Sequence, residues 1–182
     1  MARIDSFRAQ LAGGGARPDH FRVSLNFPVG IQIPAAGNAK NKVEFMVKSA
    51  SLPASRLTTI EIPFRGRTTK VAGDRVFDNW DVTVINDTDF AIRNAMEQWM
   101  NGIRNHVRTN GAVASGQYQV DLEVVQLDQN DVPLKQYKFR NCFPVQLSDI
   151  GLDFADNNRV EEFRIDFSID YWTSDTTDQP NW

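Results

Sequence analysis

The sequence is poor in the residues that build disulfides, metal sites and membrane spans. It has one cysteine, Cys142, and two histidines, so neither a disulfide framework nor a Cys/His zinc site is expected. No apolar run approaches the roughly 20 residues that cross a bilayer. The start of the chain also lacks the apolar segment of a signal peptide. We therefore expect a soluble protein, made in a reducing compartment, without a membrane segment.

The chain also lacks an excess of either charge. Its 20 Lys and Arg residues face 23 Asp and Glu residues, for a formal net charge of −3. A duplex-binding surface or a polybasic membrane anchor needs a basic excess, so both are disfavoured. With 41% hydrophobic residues, including 12 Phe and 4 Trp, the 182 residues are enough for a core. We predict a single domain over residues 1–182.

Motifs for catalysis are missing as well. The sequence contains no G-x-S-x-G, H-E-x-x-H or Walker pattern. Glycines 13–15 lack the strand–loop–helix context of a phosphate loop. His20 and His106 lie outside any motif, and Cys142 falls in a predicted strand as a small hydrophobe. We predict no catalytic residue, no cofactor and no metal site, and we rank an enzyme last.

The clearest pattern lies in the stretch 73–100. Trp80, Val82 and Val84 alternate with polar residues, which predicts a strand with one buried face. After Ile85 the period changes, and we predict a helix over residues 88–106, with Thr88 as its N-cap. Its buried face is formed by residues at helical spacing: Ile92, Met96, Trp99 and Ile103. We expect this to be the only long helix, packed over the mouth or one face of a sheet.

Most other regular segments alternate with the period of a strand. About eight strands with one helix predict a mainly β, sandwich or barrel-like domain with one flanking α-helix. The first two predicted strands pair as a hairpin across a Pro28–Asn41 loop. Residues 1–16 form an N-terminal arm, and residues 173–182 a polar tail. The predicted strands are His20–Phe27, Lys42–Ala50, Gln117–Asp128, Leu134–Cys142, Phe143–Ile150 and Phe163–Tyr171.

Residues 49–72 form a segment of a different kind. Pro63 cannot donate to a strand ladder, so this segment is an edge strand or an extended arm. It is also the most basic window of the chain. It is either a solvated loop, as charge runs usually are, or an arm that reaches another chain and adds to its sheet edge. Its candidate contact residues are Leu52, Pro53, Ile60, Ile62, Phe64, Arg65, Arg67 and Lys70.

Two blocks carry a resemblance to a known family. They are AGDRVFDNWDVTVIND (72–87), preceded by FMVKSASLPAS (45–55), and GLDFADNNRVEEFRIDFSIDYW (151–172). In combination and spacing they resemble the tail tube proteins of contractile-tailed bacteriophages, and the resemblance covers nearly the whole chain. The motif residues are Gly73, Asp74, Arg75, Phe77, Trp80, Asn86, Asp87, Tyr171 and Trp172.

The resemblance implies a structural virion protein. In that family, a hexameric ring joins its inner strands into one continuous β-barrel around a channel, and rings stack into the inner tube of the tail. A contractile sheath surrounds the tube, and baseplate and tail terminator proteins lie at its ends. A tape-measure protein fills the lumen during assembly, and DNA later passes through without specific binding. The expected location is the virion tail, assembled in the host cytoplasm.

Two hypotheses follow from this expectation. Because a DNA conduit should not hold phosphates, part of an acidic-leaning set of strand residues lines the lumen: Asp81, Asp121, Glu123, Asp166 and Asp170. The arm 49–72 packs against a neighbouring subunit, where its basic residues meet acids such as Glu161 or Glu162. The alternatives are a tube subunit of a phage-tail-like injection or secretion particle, a baseplate or terminator ring protein, and a ligand-binding β-sandwich.

Overall fold

The computed structural model describes residues 3–11, 15–107, 111, 114–155 and 157–177. Within them the chain has three α-helices, α1 (Ile4–Gln10), α2 (Ala36–Met46) and α3 (Ala91–Ile103), and a 3-10 helix at Ser115–Gln117. The strands are β1 (Phe21–Ser24), β2 (Val47–Ala50), β3 (Arg56–Phe64), β4 (Arg67–Val76), β5 (Trp80–Ile85), β6 (Val120–Leu127), β7 (Pro133–Leu147), β8 (Glu162–Ser168) and β9 (Tyr171–Ser174).

Seven strands form one antiparallel sheet, in the order β1-β6-β7-β8-β5-β2, with β9 paired to β7. The 15-residue strand β7 joins two layers, since its first half pairs with β6 and β9 and its second half with β8. Asn141, at φ 56°, lies between the two halves. Phe139 of the first half stacks on Trp80 of β5, with ring centroids 4.3 Å apart. The layers therefore face each other, which confirms the mainly β, sandwich-like expectation.

The core lies between these layers, and α3 covers part of it. Trp80, Val82 and Val84 are buried on β5, as their alternation predicts. Met96 and Trp99 of α3 are completely buried, and the Trp99 ring lies 6.3 Å from that of Phe167. The predicted strand and the predicted buried face of the helix are both confirmed.

The start of α3 differs from the prediction. The residue before the helix is Phe90, in the left-handed conformation at φ 52°, and Thr88 makes no capping bond to the helix. Instead, the side chain of Asp89 accepts a hydrogen bond from the backbone N–H of Ala91, over 3.1 Å. Thr88 as the N-cap was therefore wrong, because the carboxylate one residue later reaches the helix.

The region 28–50 also differs. In place of the Pro28–Asn41 loop and the Lys42–Ala50 strand, the chain forms α2 and then the short β2. β1 pairs with β6 and β2 pairs with β5, so the predicted hairpin does not exist. Val43 and Ala39, one helical turn apart, are buried, and α2 packs on α3. The expectation of a single long helix was wrong for this reason.

The C-terminal half contains two smaller corrections. The two strands predicted over 134–150 are one strand, β7, because a bulge at residues 140–141, rather than a break, separates its halves. The strand predicted to run from Phe163 to Tyr171 ends at Ser168, and Tyr171 begins β9, which pairs with β7. Tyr171 is thus 44% exposed and does not continue the buried face. Residues 178–182, the end of the predicted polar tail, lie outside the described residues.

The strands β3 and β4 form a separate two-stranded sheet. Every residue of β3 is exposed, and the N-terminal helix α1 has no buried residue either. No helix in the described ranges is both long enough and apolar enough to cross a membrane.

Candidate assembly surfaces

The two sequence blocks that carry the resemblance meet at the root of the β3–β4 hairpin. The indole N–H of Trp80 donates to the carbonyl of Ser51, at 2.8 Å, and the indole N–H of Trp172 donates to that of Ala54, at 3.2 Å. Phe77 packs edge-on against Trp172, with ring centroids 6.3 Å apart. Three aromatic side chains of the folded body therefore fix both ends of the hairpin. Leu52 and Pro53 lie in the entering segment, exposed and half-buried respectively.

The hairpin has two chemically different faces. The cross-strand pairs place Ile60 opposite Val71, and Ile62 opposite Thr69. With Phe64 they form an apolar hairpin face, on which Ile62 is 49% and Phe64 66% exposed. The other face carries the charged pair Glu61 and Lys70, 3.2 Å apart, with Thr68 beside it opposite Pro63. An amphipathic hairpin whose apolar side is uncovered within the described chain is suited to bury that side elsewhere.

The tip of the hairpin is basic. Arg65 and Gly66 turn the chain with positive φ values of 46° and 79°. The Arg65 guanidinium lies 5.2 Å above the Phe64 ring, and Arg67 is paired with Phe64 across the strands. Neither arginine forms an ion pair with a described carboxylate, whereas Lys70 does. The tip therefore presents cationic groups directly beside the apolar face.

The motif residues 73–75 shape the base of β4. A Cβ atom on Gly73 would lie 2.5 Å from the Thr58 hydroxyl, so a side chain is excluded by the facing strand. That hydroxyl donates to the carbonyl of Asp74, at 3.0 Å, beside a shift in strand register. Arg75 donates to the Ser55 hydroxyl, at 3.3 Å. These residues hold the hairpin's own base together and do not enter the core.

Asn86 and Asp87 lie at the opposite end of β5. Asn86 donates from its backbone N–H to the carbonyl of Glu161, at 2.8 Å, and from its side chain to the Glu161 carboxylate, at 3.0 Å. Lys42 of α2 donates to Asp87 at 2.5 Å and to Asp89 at 2.6 Å. These hydrogen bonds lower the pKa of both aspartates and raise that of Lys42. The cluster ties α2 to the turn that precedes α3.

The segment that leads into β8, together with the first β8 residue Glu162, is a second exposed surface, which we name the acidic loop (residues 149–155 and 157–162). Leu152, Phe154 and Val160 are 83%, 108% and 60% exposed. They border an open cavity of about 590 Å³ together with Ile150. Sequence reasoning gave these side chains no role. A signal was present in the sequence: Leu152 and Phe154 are large apolar residues set among Gly, Asp and Asn. A turn that only reverses the chain does not need large apolar side chains.

The five predicted lumen residues do not share one surface. Asp81 and Asp166 are cross-strand partners on the outer face of β5 and β8, within 3.8 Å and 2.6 Å of Arg164. The other three lie across the core. Asp121 pairs with Arg140 at 2.6 Å, Glu123 accepts from Gln136, and Asp170 accepts from Asn141 at 2.7 Å. Because the two sets lie on opposite sides of the core, a channel lined by Asp81 and Asp166 is not also lined by Asp121, Glu123 and Asp170.

Each layer ends in strands with one partner. Within the described residues, β1 pairs only with β6 and β9 only with β7. In the other layer, β2 pairs only with β5, and the second half of β7 only with β8. Such edges carry unpaired N–H and C=O groups along one side. Both layers are therefore open to extension by another chain.

The groups considered for chemistry are placed as ordinary structural residues. Cys142 is completely buried, and burial raises the pKa of its thiol to about 12. His106 is exposed, and His20 lies 3.9 Å from the Asp19 carboxylate. Among the described residues, no group of three or more His, Cys, Asp or Glu side chains is arranged to hold a metal ion.

Comparison with known sequences matches the chain to proteins of one kind. The family model described as "Phage tail tube protein" matches residues 16–175. Tail tube protein gp19 of Enterobacteria phage T4 is 29% identical over 171 residues, which cover 92% of this chain and 97% of that protein. The tail tube protein of Serratia phage KSP90 is 27% identical over 168 residues, covering 91% of this chain and 93% of that protein.

Solved structures share the fold at lower identity. A chain of the PVC sheath/tube terminator structure, from an extracellular contractile injection system, superposes with a TM-score of 0.61 at 17% identity, covering 85% of this chain and 92% of that one. A chain of the PVC sheath–tube complex gives a TM-score of 0.57 at 16% identity, covering 91% and 95%.

Proposed function

Because the chain belongs to the phage tail tube protein family, we propose that it polymerises as stacked hexameric rings into the inner tail tube, the conduit for DNA ejection. The family match over residues 16–175 carries this proposal, since it spans both layers, the helices α2 and α3 and the hairpin. The chain is a component of the virion tail. Its role is structural, and we propose neither a catalytic activity nor a cofactor.

The free edges of the two layers support ring formation. Antiparallel edge strands of neighbouring subunits satisfy each other's backbone groups, and a closed ring removes the edges altogether. In the proposed ring, one layer of each subunit continues into the same layer of the next. The inner surface then becomes a single β-barrel around the channel.

We propose that the layer of β2, β5 and β8 lines that channel. On its outer face, the carboxylates Asp81, Glu162 and Asp166 outnumber the cations Lys48 and Arg164. On the outer face of β6 and β7, Asp121 and Glu123 are matched by Lys138 and Arg140. A bore that passes DNA should present no excess of phosphate-binding cations. The first face has the more negative balance, so of the five predicted lumen residues we retain Asp81 and Asp166.

The β3–β4 hairpin contacts another subunit in the proposed tube. Its apolar face is half exposed in the single chain, and an isolated two-stranded hairpin is marginally stable in water. Packing on a second copy covers Ile60, Ile62 and Phe64 and gives the hairpin a fixed orientation. The contact residues predicted from the sequence, Leu52 to Lys70, belong to this interface.

The family and one structure with the same fold support a proposal for the outer partners. That structure is a sheath–tube complex in a contractile injection system. We propose that a sheath protein surrounds this tube and that baseplate and tail terminator proteins lie at its ends. A tape-measure protein occupies its lumen during assembly.

Negative-stain electron microscopy of the purified chain over a range of concentrations tests the proposed function. We expect hollow tubes of uniform width built from stacked rings. Lone rings that never stack would instead indicate a terminator or baseplate subunit. A chain that stays monomeric at every concentration, with a self-contained sheet, would contradict the proposal.

A further inference from the structure

The β3–β4 hairpin and the acidic loop lie at opposite ends of the same pair of strands. In the antiparallel pair β5 and β8, Trp80 faces Phe167 at one end, and Ile85 faces Glu162 at the other. Residues 77–79 connect the hairpin to Trp80, whereas the acidic loop ends at Glu162, the first residue of β8. Five residue steps separate these ends, or about 17 Å along the strands. The hairpin root and the acidic loop are therefore on opposite sides of the subunit.

The two surfaces are complementary in charge. The hairpin, residues 56–76, contains five basic and two acidic residues. The described residues of the acidic loop include Asp149, Asp153, Glu161 and Glu162 against the single cation Arg159. Glu162 already pairs with Lys48, at 2.7 Å, but Asp149 and Asp153 form no ion pair with a described residue. Opposite charges at two interface patches favour their association and disfavour wrong pairings.

They are also complementary in apolar surface. Ile60, Ile62 and Phe64 are 54%, 49% and 66% exposed on the hairpin. On the loop, Leu152 and Phe154 are 83% and 108% exposed around an open cavity. Hairpin-to-hairpin packing also buries apolar area, but it brings Arg65 and Arg67 of two copies together. Like charges in contact oppose that arrangement.

On this basis we propose that the acidic loop of one subunit receives the hairpin of a second copy in the next ring. The inference rests on the proposed tube and specifies its stacking contact. A patch on one end of a subunit that binds a different patch on the opposite end makes a head-to-tail contact. When such a contact relates successive subunits by a translation along an axis, the series of subunits does not close, and the result is an open-ended stack. Ring closure then depends on the sheet edges, and stacking depends on the hairpin and the loop.

Cross-linking between two variants tests this contact. Phe64→Cys places a thiol at the hairpin tip, and Phe154→Cys places one on the acidic loop, both at exposed positions. The native Cys142 is completely buried, so its background reaction with maleimides in the folded chain is low. Tubes assembled from an equal mixture are treated with a short bis-maleimide. We expect a cross-linked dimer joining positions 64 and 154 in the mixture, and its loss in tubes of either variant alone.

A matched pair distinguishes stacking from contact within a ring. Ser24→Cys lies on the free edge strand β1, and we expect it not to cross-link to Phe64→Cys. A dimer joining positions 24 and 64, or a dimer joining two hairpins, would overturn the inference. Tubes without the 64–154 dimer would also overturn it, and would leave the proposed tube intact.

Hydrogen exchange of the unmodified chain gives an independent measurement if a variant fails to assemble. Comparison of the unassembled protein with assembled tubes should show slower exchange in both segments, 56–76 and 149–162. Slower exchange in the hairpin alone would overturn the assignment of the loop as its receptor. A native chain that forms neither rings nor tubes would overturn this inference and the proposed function together.

Discussion

Strand β8 and the β3–β4 hairpin are built from the same kind of sequence but have opposite surroundings. In β8, Phe163, Ile165 and Phe167 alternate with polar residues and are all buried. In β3, Ile60, Ile62 and Phe64 alternate in the same way, yet every residue is exposed. Alternation predicts that one side of a strand will be covered. It does not say whether the same chain supplies the cover.

The same substitution, Phe→Ala, made once in β8 and once in the hairpin, measures this difference in burial in the unassembled chain. Phe167 is completely buried between Trp80 and Trp99, so Phe167→Ala should lower the free energy of unfolding by about 3–5 kcal/mol. Phe64→Ala, on the apolar hairpin face, should change it by no more than about 0.5 kcal/mol. Urea unfolding of both variants provides the measurement. A large loss from Phe64→Ala would mean that the hairpin is covered within its own chain.

Assembly should reverse the ranking of these two regions. Ile62→Asp should leave the unfolding free energy nearly unchanged but raise the critical concentration for tubes by roughly tenfold or more, because each contact loses about 1 kcal/mol of apolar burial and gains a charge to desolvate. Thr68→Asp adds the same charge on the polar face of the same hairpin and is the matched control. Sedimentation of tubes against protein concentration measures both. Equal effects of the two substitutions would indicate that charge alone, and not the apolar face, governs assembly.

The same contrast explains how much of the fold was predictable. The strands β5 and β8 and the helix α3 were found because each buries one face against its own chain, which leaves a clear period in the sequence. The helix α2 was missed because its sequence, AGNAKNKVEFM, buries only Ala39 and Val43. Val43, Phe45 and Val47 happen to alternate, although Phe45 is 81% exposed. A helix held by two side chains and by contact with another helix has almost no periodic signal of its own.

The surfaces were predicted less well than the core, for a related reason. The hairpin was found as an arm because Pro63 and the basic residues set it apart. The acidic loop was not assigned a role, since Leu152 and Phe154 follow no period. Asp81 and Asp121 were grouped as polar strand residues, but the direction of a strand face depends on which layer the strand joins. That information comes from the pairing of β7 with β6 and with β8.

The smallest expected effect concerns the ion cluster that attaches α2 near the far end of β5. Hydrogen bonds from Lys42 lower the pKa of Asp87 and Asp89 in the folded chain. A depressed carboxyl pKa stabilises the folded state above the unfolded value of about 4. That contribution is lost as the pH falls through the lower, folded pKa. The wild-type chain should therefore lose stability on acidification through this range, and Lys42→Met should lose less, because its aspartates have no such partner.

Urea unfolding of both proteins between neutral and acidic pH measures this difference. The two stability curves should be furthest apart at neutral pH and converge as the aspartates become protonated. Parallel curves would show that Lys42 contributes to packing alone. The cluster is partly exposed. Its removal should therefore loosen α2 but leave the critical concentration for tubes nearly unchanged, unlike Ile62→Asp. A tube defect as large as that of Ile62→Asp would instead place the cluster itself within the contact that the acidic loop, at the same end of β5, is proposed to make with the next copy.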